Sequence, residues 1–175
     1  MNSKRLYFYH WVCKFIPPTR GYSLKAKLLR WCGAKIGYNV RVVSSARIIG
    51  DYNLIIGDNT FIGHEALIFG PAHSTITIGA NCIIGSRVIL VTGTHDFTPD
   101  GPCIEGKGTY ANITIEPGVA ISTGSIVLPG KTVHKKSHIA AGSVITHDVP
   151  QYCRVAGVPA RVIKEFDHKE DKCEL

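Results

Sequence analysis

From Ile36 onward an aliphatic residue returns about every sixth position, with glycine, asparagine or aspartate recurring close behind it. Written with the aliphatic residue first, the units start at Ile36, Val42, Ile49, Ile56, Ile62 and Ile68, and then, after four extra residues, at Ile78, Ile84 and Leu90. A long interruption follows, and the units resume at Ile115, Ile121, Val127, Val133, Ile139 and Ile145. The leading residue is Ile, Val or Leu in all fifteen units. A period of six is even, so a strand in every unit turns the same face inward. It is also too short for a strand plus a helix. The Gly, Asn and Asp residues supply the left-handed or turn conformations that a corner needs. Three units close a triangular coil, and coils stack at the strand spacing of about 4.8 Å. Grouping by threes gives five coils, and both insertions fall on coil boundaries, after the Ile68 and Leu90 units. The pattern predicts an all-β parallel β-helix over residues 36–148. A polar loop at 96–112 protrudes from it, and a loop of that length inside a compact array points to function.

Residues 1–35 read differently. Ser23 is a candidate N-cap, Leu24, Leu28 and Leu29 have helical spacing, and Gly33 supplies a stop. A short helix over Ser23–Cys32 is expected to cap the open end of the coil, whose terminal layer would otherwise leave an unpaired edge. Leu6–Ile16 is aromatic and apolar but carries His10 and Lys14 and ends at Pro17-Pro18. It falls short of the ~20 residues of a spanning helix, and no small-residue cleavage site follows it. Two readings stay open. The segment packs on the β-helix or a neighbouring subunit, or residues 4–16 rest peripherally in a membrane interface. In the second case Tyr7, Tyr9 and Trp11 lie at headgroup level and Lys4, Arg5 and Lys14 near anionic lipid. Residues 149–175 form a C-terminal segment, expected as a helix or tail. Pro150, Gly157, Val158 and Pro159 turn it off the coil, and the charged stretch after Phe166 is expected to be loose.

The net charge is +7 and the calculated pI about 9.2. A basic balance suits nucleic acid, an acidic membrane surface or a phosphorylated small molecule. The repeat region has no nucleic-acid-binding motif and no basic stripe with interleaved aromatics, so no nucleic-acid partner is expected. Six cysteines stand at 13, 32, 82, 103, 153 and 173, without a C-x-x-C pair or zinc-finger spacing. Reduced thiols, no metal and a cytoplasmic location, in one reading at the inner face of the membrane, are the expectation.

Three stretches narrow the reading: GAKIGYNV at 33–40, VTGTHDF at 91–97 and AAGSVITHDVPQYCRVAGVPARVIKEF at 140–166. With them the chain, from about Arg20 to Phe166, resembles the hexapeptide-repeat acyltransferases. It is similar to the maltose, galactoside and nodulation O-acetyltransferases, and most to those of capsule, colanic acid and other surface-polysaccharide pathways. The resemblance implies a left-handed parallel β-helix, a homotrimer, acetyl-CoA as co-substrate and a sugar or saccharide acceptor.

It also implies roles for residues. His95 lies in the TGTHD-type stretch that carries the family's catalytic histidine, and a neutral imidazole suits removal of a hydroxyl proton during attack on a thioester. Asp96 is a candidate to orient His95 or hold its own loop. His64 or Glu65 stands near a position that helps bind the acceptor. Ser122 and Thr123 fall beside the thioester, where a backbone N–H can hold the developing oxyanion. Ala140 and Ala141 are small enough for close approach of pantetheine. Thr146, His147, Arg161 and Lys164 fall toward the nucleotide end, Lys164 as a 3′-phosphate partner. Two departures are visible: His147 stands where relatives commonly have Lys, and Ala120 where they often have Trp.

Other functions compete. A serine or antibiotic acceptor is the nearest, although a serine enzyme usually carries a larger N-terminal helical domain. A γ-type carbonic anhydrase shares the coil and needs three converging histidines, but the spacing of His64, His73, His134 and His138 does not match. A non-catalytic trimeric scaffold leaves His95 and the donor motifs unexplained.

Overall fold

A computed structural model describes residues 1–167. The charged tail beyond that, with Cys173, lies outside the described residues.

The repeats build a parallel β-solenoid with three faces. The first face stacks Lys35–Ile36, Asn53–Ile56, Thr75–Ile78, Ile113–Ile115 and Thr132–Val133. The second stacks Arg41–Val42, Phe61–Ile62, Ile83–Ile84, Ala120–Ile121 and His138–Ile139, and the third Arg47–Ile49, Leu67–Phe69, Ile89–Val91, Ile126–Val127 and Val144–Ile145. In-register pairing aligns the inward side chains in columns, such as Val42, Ile62, Ile84, Ile121 and Ile139. All of these are fully buried or nearly so, and each stabilises the fold by about 1.5–3 kcal/mol.

One unit is corrected by a residue. Ile48, not Ile49, is the fully buried member of the third column, paired with Ile68. The extra residues then fall at the corner after Ile49, where Gly50 has φ +115°. Successive inward residues across this corner are eight positions apart at Ile48–Ile56, ten at Ile68–Ile78 and twenty-five at Leu90–Ile115. Every expansion of the repeat therefore leaves from the same corner, between the third and first faces.

The glycines after the inward aliphatics have a different cause from the one expected. They do not hold the left-handed conformation; that falls to Asn39, Asn59, Asn81, Glu65, Arg87, Gly124 and Gly142 further round each corner. Gly57, Gly79 and Gly85 instead sit where the next coil presses. A Cβ on Gly57 would lie 2.5 Å from the Ala80 nitrogen, and one on Gly85 2.7 Å from the Ile121 carbonyl oxygen. The asparagine corner is tied by a ladder, Asn39 to Asn59 at 3.0 Å and Asn59 to Asn81 at 3.3 Å.

Two helices cap the first coil: α1, Ser3–Cys13, and α2, Tyr22–Trp31. Ser23 is not the cap of α2. Gly21, at φ +62° without a side-chain cap, precedes the helix, and Ser23 lies in its first turn. Leu29 and Ala26 face the coil, and the buried Lys25 ammonium donates to the Pro18 carbonyl at 3.0 Å and the Ser44 hydroxyl at 3.2 Å. No helix among the described residues is long and apolar enough to cross a membrane.

The C-terminal segment is not a helix. Cys153–Gly157 adds to the second face beside His138–Ile139, and Ala160–Glu165 folds back on it antiparallel. Val155, Val162 and Ile163 suit strands, and the edge of the last coil offers unpaired backbone groups that a helix would leave unused. The loop at 96–112 is likewise built: Gly93–Phe97 pairs antiparallel with Glu105–Tyr110, with a bulge between His95 and Phe97.

Candidate active site

The expanded corner puts His95 on the first strand of the projecting hairpin, opposite Gly108, with its side chain exposed. Its Nδ1 lies 3.2 Å from the Gly106 carbonyl oxygen. A carbonyl only accepts, so Nδ1 carries the proton and Nε2 keeps a free lone pair. The opposite strand thus holds the ring in the tautomer that a general base requires. The neighbouring Asp96 carboxylate does not hold it: Asp96 sits at the bulge, exposed.

A second set of candidates shares one edge. His64 and Glu65 turn the corner between the second and third faces, and Ser122 with Thr123 and Ala140 with Ala141 turn the same corner in the last two coils. His64 Nδ1 meets the Ser45 hydroxyl at 3.2 Å. Glu65 is occupied by Arg87 of the next coil at 2.6 Å, which holds its carboxyl below the ordinary value. Ala140 is tied into the ladder, its N–H donating to Val155 and its carbonyl accepting from the Ser125 and Ser143 hydroxyls. Ala141 is exposed.

Of the two residues expected to offer an oxyanion donor, Ser122 has its backbone N–H engaged. The Ser122 N–H donates to the Ile139 carbonyl at 2.9 Å and is spent on the ladder. Its hydroxyl is the group that remains to be used. Ser122 Oγ lies 2.9 Å from His138 Nε2, and Arg154 Nε donates to His138 Nδ1 at 3.0 Å. Nδ1 accepts, so Nε2 carries the proton and donates to Ser122 Oγ, which leaves the serine's own hydrogen free to donate outward. Burial holds the His138 imidazole below its ordinary value of 6.5, and the Arg154 guanidinium adds to this. His138 and Arg154 were not legible as functional residues. They are sixteen positions apart and meet only because Arg154 is in register with His138 on the added strand.

Thr146 and His147 turn the last coil at the corner from which the hairpin springs further up, and their side chains meet at 2.9 Å. His147 and Arg161, with Val149, Pro150 and Ala160, line a cavity of about 410 Å³ between the last coil and the terminal hairpin. Lys164 is on that hairpin opposite Arg154, exposed, its ammonium 5.6 Å from the Phe166 ring centre. Ala120 lies on the outer surface of the second face, between Ile83 and His138. Within one chain His95 and Ser122 lie on different corners, separated by the whole third face.

Among the described residues no three His, Cys, Asp or Glu side chains converge as a metal cluster. His134 pairs with Glu116 at 3.2 Å, apart from the His138 relay. Cys13, Cys32, Cys82, Cys103 and Cys153 are free thiols.

No family model matches the chain. Individual proteins do. An Escherichia coli K12 protein assigned as a colanic acid biosynthesis acetyltransferase is 32% identical over 144 residues, 82% of this chain and 76% of that protein. Galactoside O-acetyltransferase of the same organism is 31% identical over 150 residues, 83% and 70% of the two chains. Among solved structures, galactoside acetyltransferase in complex with coenzyme A superposes at TM-score 0.68 with 25% identity, covering 94% of this chain and 80% of that one. A hexapeptide-repeat acetyltransferase from Vibrio cholerae O1 biovar eltor, complexed with acetyl coenzyme A, gives TM-score 0.75 at 24% identity, covering 95% and 87%. The last of these speaks for the fold alone. The shared solenoid, the interrupted third coil and the identity across most of both E. coli proteins place this chain in the hexapeptide-repeat acetyltransferase family, as an acyltransferase.

Proposed function

We propose that the protein moves an acetyl group from acetyl-CoA to a hydroxyl of a sugar or saccharide acceptor, in the building of a surface polysaccharide or lipopolysaccharide, with His95 as general base. The observation that carries the base is the Nδ1 contact to the Gly106 carbonyl at 3.2 Å, which leaves Nε2 to accept. The acceptor oxygen attacks the thioester carbonyl as Nε2 takes its proton. The C–S bond breaks, and the proton passes to the departing coenzyme A sulfur. The oxyanion that forms in between is met by the outward-donating Ser122 hydroxyl, backed by His138 and Arg154. The saccharide and polysaccharide parts of the reading rest on the names of the two E. coli relatives.

The coenzyme lies along the edge of Thr123, Ala140 and Ala141, with its nucleotide end toward Thr146, His147, Arg161 and Lys164. Because His95 and this edge stand on different corners, the site is completed by a neighbouring copy, which a homotrimer supplies. His64 contacts the acceptor, with Glu65 beside it held by Arg87.

The test is a thiol-release assay with acetyl-CoA and a panel of saccharides, serine and aminoglycoside acceptors. A saccharide is expected to give the highest turnover, and His95→Ala to lower it by about 100-fold with the thermal midpoint unchanged. Preference for serine or an aminoglycoside contradicts the acceptor class, and near-normal turnover of His95→Ala contradicts the base.

A further inference from the structure

The first fifty residues hold ten Lys and Arg and no Asp or Glu. The rest of the chain holds ten basic and thirteen acidic residues, so the whole positive excess comes from the N-terminal end. That end is the helical cap on the first coil. Leu6, Tyr9 and Cys13 of α1 are buried, while Lys4, Tyr7, Phe8, Trp11, Lys14 and Phe15 form the opposite stripe at helical spacing. Tyr7 is 76%, Trp11 56% and Phe15 72% exposed. A helix that is apolar on two faces needs a second partner. The stripe is continuous: Trp11 meets Phe15 edge-on at 5.2 Å, Phe8 meets Trp11 at 5.9 Å, and Phe8 meets Trp31 of α2 at 5.8 Å. Beside it runs a groove of about 560 Å³ between α1 and the first strand of the third face, lined by Tyr7, Trp11, Lys14 and Arg47 among others.

We infer that this cap is a docking surface for an anionic lipid bilayer, with α1 lying in the plane of the interface. The chemistry fits lipid on two independent counts. Tyr and Trp have an apolar body and a polar edge suited to headgroup depth, and the surrounding charge is mostly opposite to that of phosphate, the one carboxylate at the start of α1, Asp51, being held by the Ser3 N–H and hydroxyl. A second copy of the chain would set like charge against like at the same patch. Groove cations Lys14 and Arg47 meet a lipid phosphate beside an aromatic wall. Docked this way, the solenoid stands with its capped end on the membrane and the later coils directed away from it.

Both tryptophans of the chain, Trp11 and Trp31, belong to the patch, so intrinsic fluorescence reads docking directly. The full chain is mixed with vesicles of phosphatidylcholine alone or of phosphatidylcholine with phosphatidylglycerol. The mixed vesicles are expected to shift the emission to shorter wavelength and to carry the protein down on centrifugation, with release in high salt. Neutral vesicles do neither. Two variants keep the buried stripe of α1: Trp11→Ser with Phe15→Ser, and Lys4→Glu with Lys14→Glu. Each is expected to weaken binding at least about tenfold while circular dichroism melting stays that of the parent. Absence of binding to the mixed vesicles overturns the inference, as does unaltered binding by both variants. It is overturned as well if Trp11→Ser with Phe15→Ser dissociates the oligomer in sedimentation, which would make the patch a contact between copies.

Discussion

Two histidines of this protein are set in opposite tautomers by single backbone or side-chain partners, and the difference assigns them opposite tasks. The Gly106 carbonyl forces the proton of His95 onto Nδ1 and leaves the Nε2 lone pair free, as the proposed base requires. The Arg154 guanidinium forces the lone pair of His138 to Nδ1 and makes Nε2 a donor to Ser122. The His138 arrangement requires a neutral ring. It is intact above the ring's titration midpoint and lost as pH falls through it, because the protonated Nδ1 no longer accepts from Arg154. Burial and Arg154 both lower that midpoint from 6.5, so the relay persists into mildly acidic solution. Proton resonances of His138 followed against pH are expected to titrate below 6.5, and Arg154→Ala to raise the midpoint. Ser122→Ala is expected to lower kcat about tenfold or more with little change in acceptor KM. A midpoint unmoved by Arg154→Ala would remove the guanidinium from the relay. Of these residues the sequence singles out His95 and Ser122, through motif resemblance. His138 and Arg154 are not singled out, because their meeting depends on a strand pairing that no repeat unit announces.

At the scale of the element, the hexapeptide pattern announces the strands in full and the turns only in part. The inward aliphatics appear in the pattern because a buried methyl group has no substitute. The glycines were assigned to corner conformation, whereas Gly57 is there because the next coil's backbone leaves no room for a Cβ. Gly57→Ala is therefore expected to destabilise by about 1–3 kcal/mol, as overpacking does, although its φ is one any residue adopts. Chemical denaturation measures this. Gly142→Ala makes the comparison: nothing lies within 4 Å of its added Cβ, and its cost is that of φ +70° alone. The C-terminal hairpin is hidden in the sequence for a related reason. Its strands carry Arg154, Arg161 and Lys164 among their apolar residues, so the pattern reads as a helix or tail. The open edge of the last coil, which recruits it, is a property of the stack and not of the segment.

The whole molecule is a rigid frame with one specialised corner and one specialised end. Repeat expansions of two, four and nineteen residues beyond the six-residue unit all leave between the third and first faces, and the last of them carries His95. The proposed donor edge runs along a different corner, past the third face. Fold and family were legible because a six-residue period admits few architectures. The arrangement of the complete site was not, because neither corner says which copy's edge it faces. The central claim is that His95 of one subunit works on the donor edge of another. It is tested by mixing two inactive variants, His95→Ala and Ala141→Trp, the second filling the proposed coenzyme edge, through denaturation and refolding together. If the site lies between subunits, a mixed oligomer holds a pairing of intact His95 with an intact edge, and acetyl transfer returns although neither parent has it. If both groups act within one chain, every chain in the mixture is defective, and no activity returns.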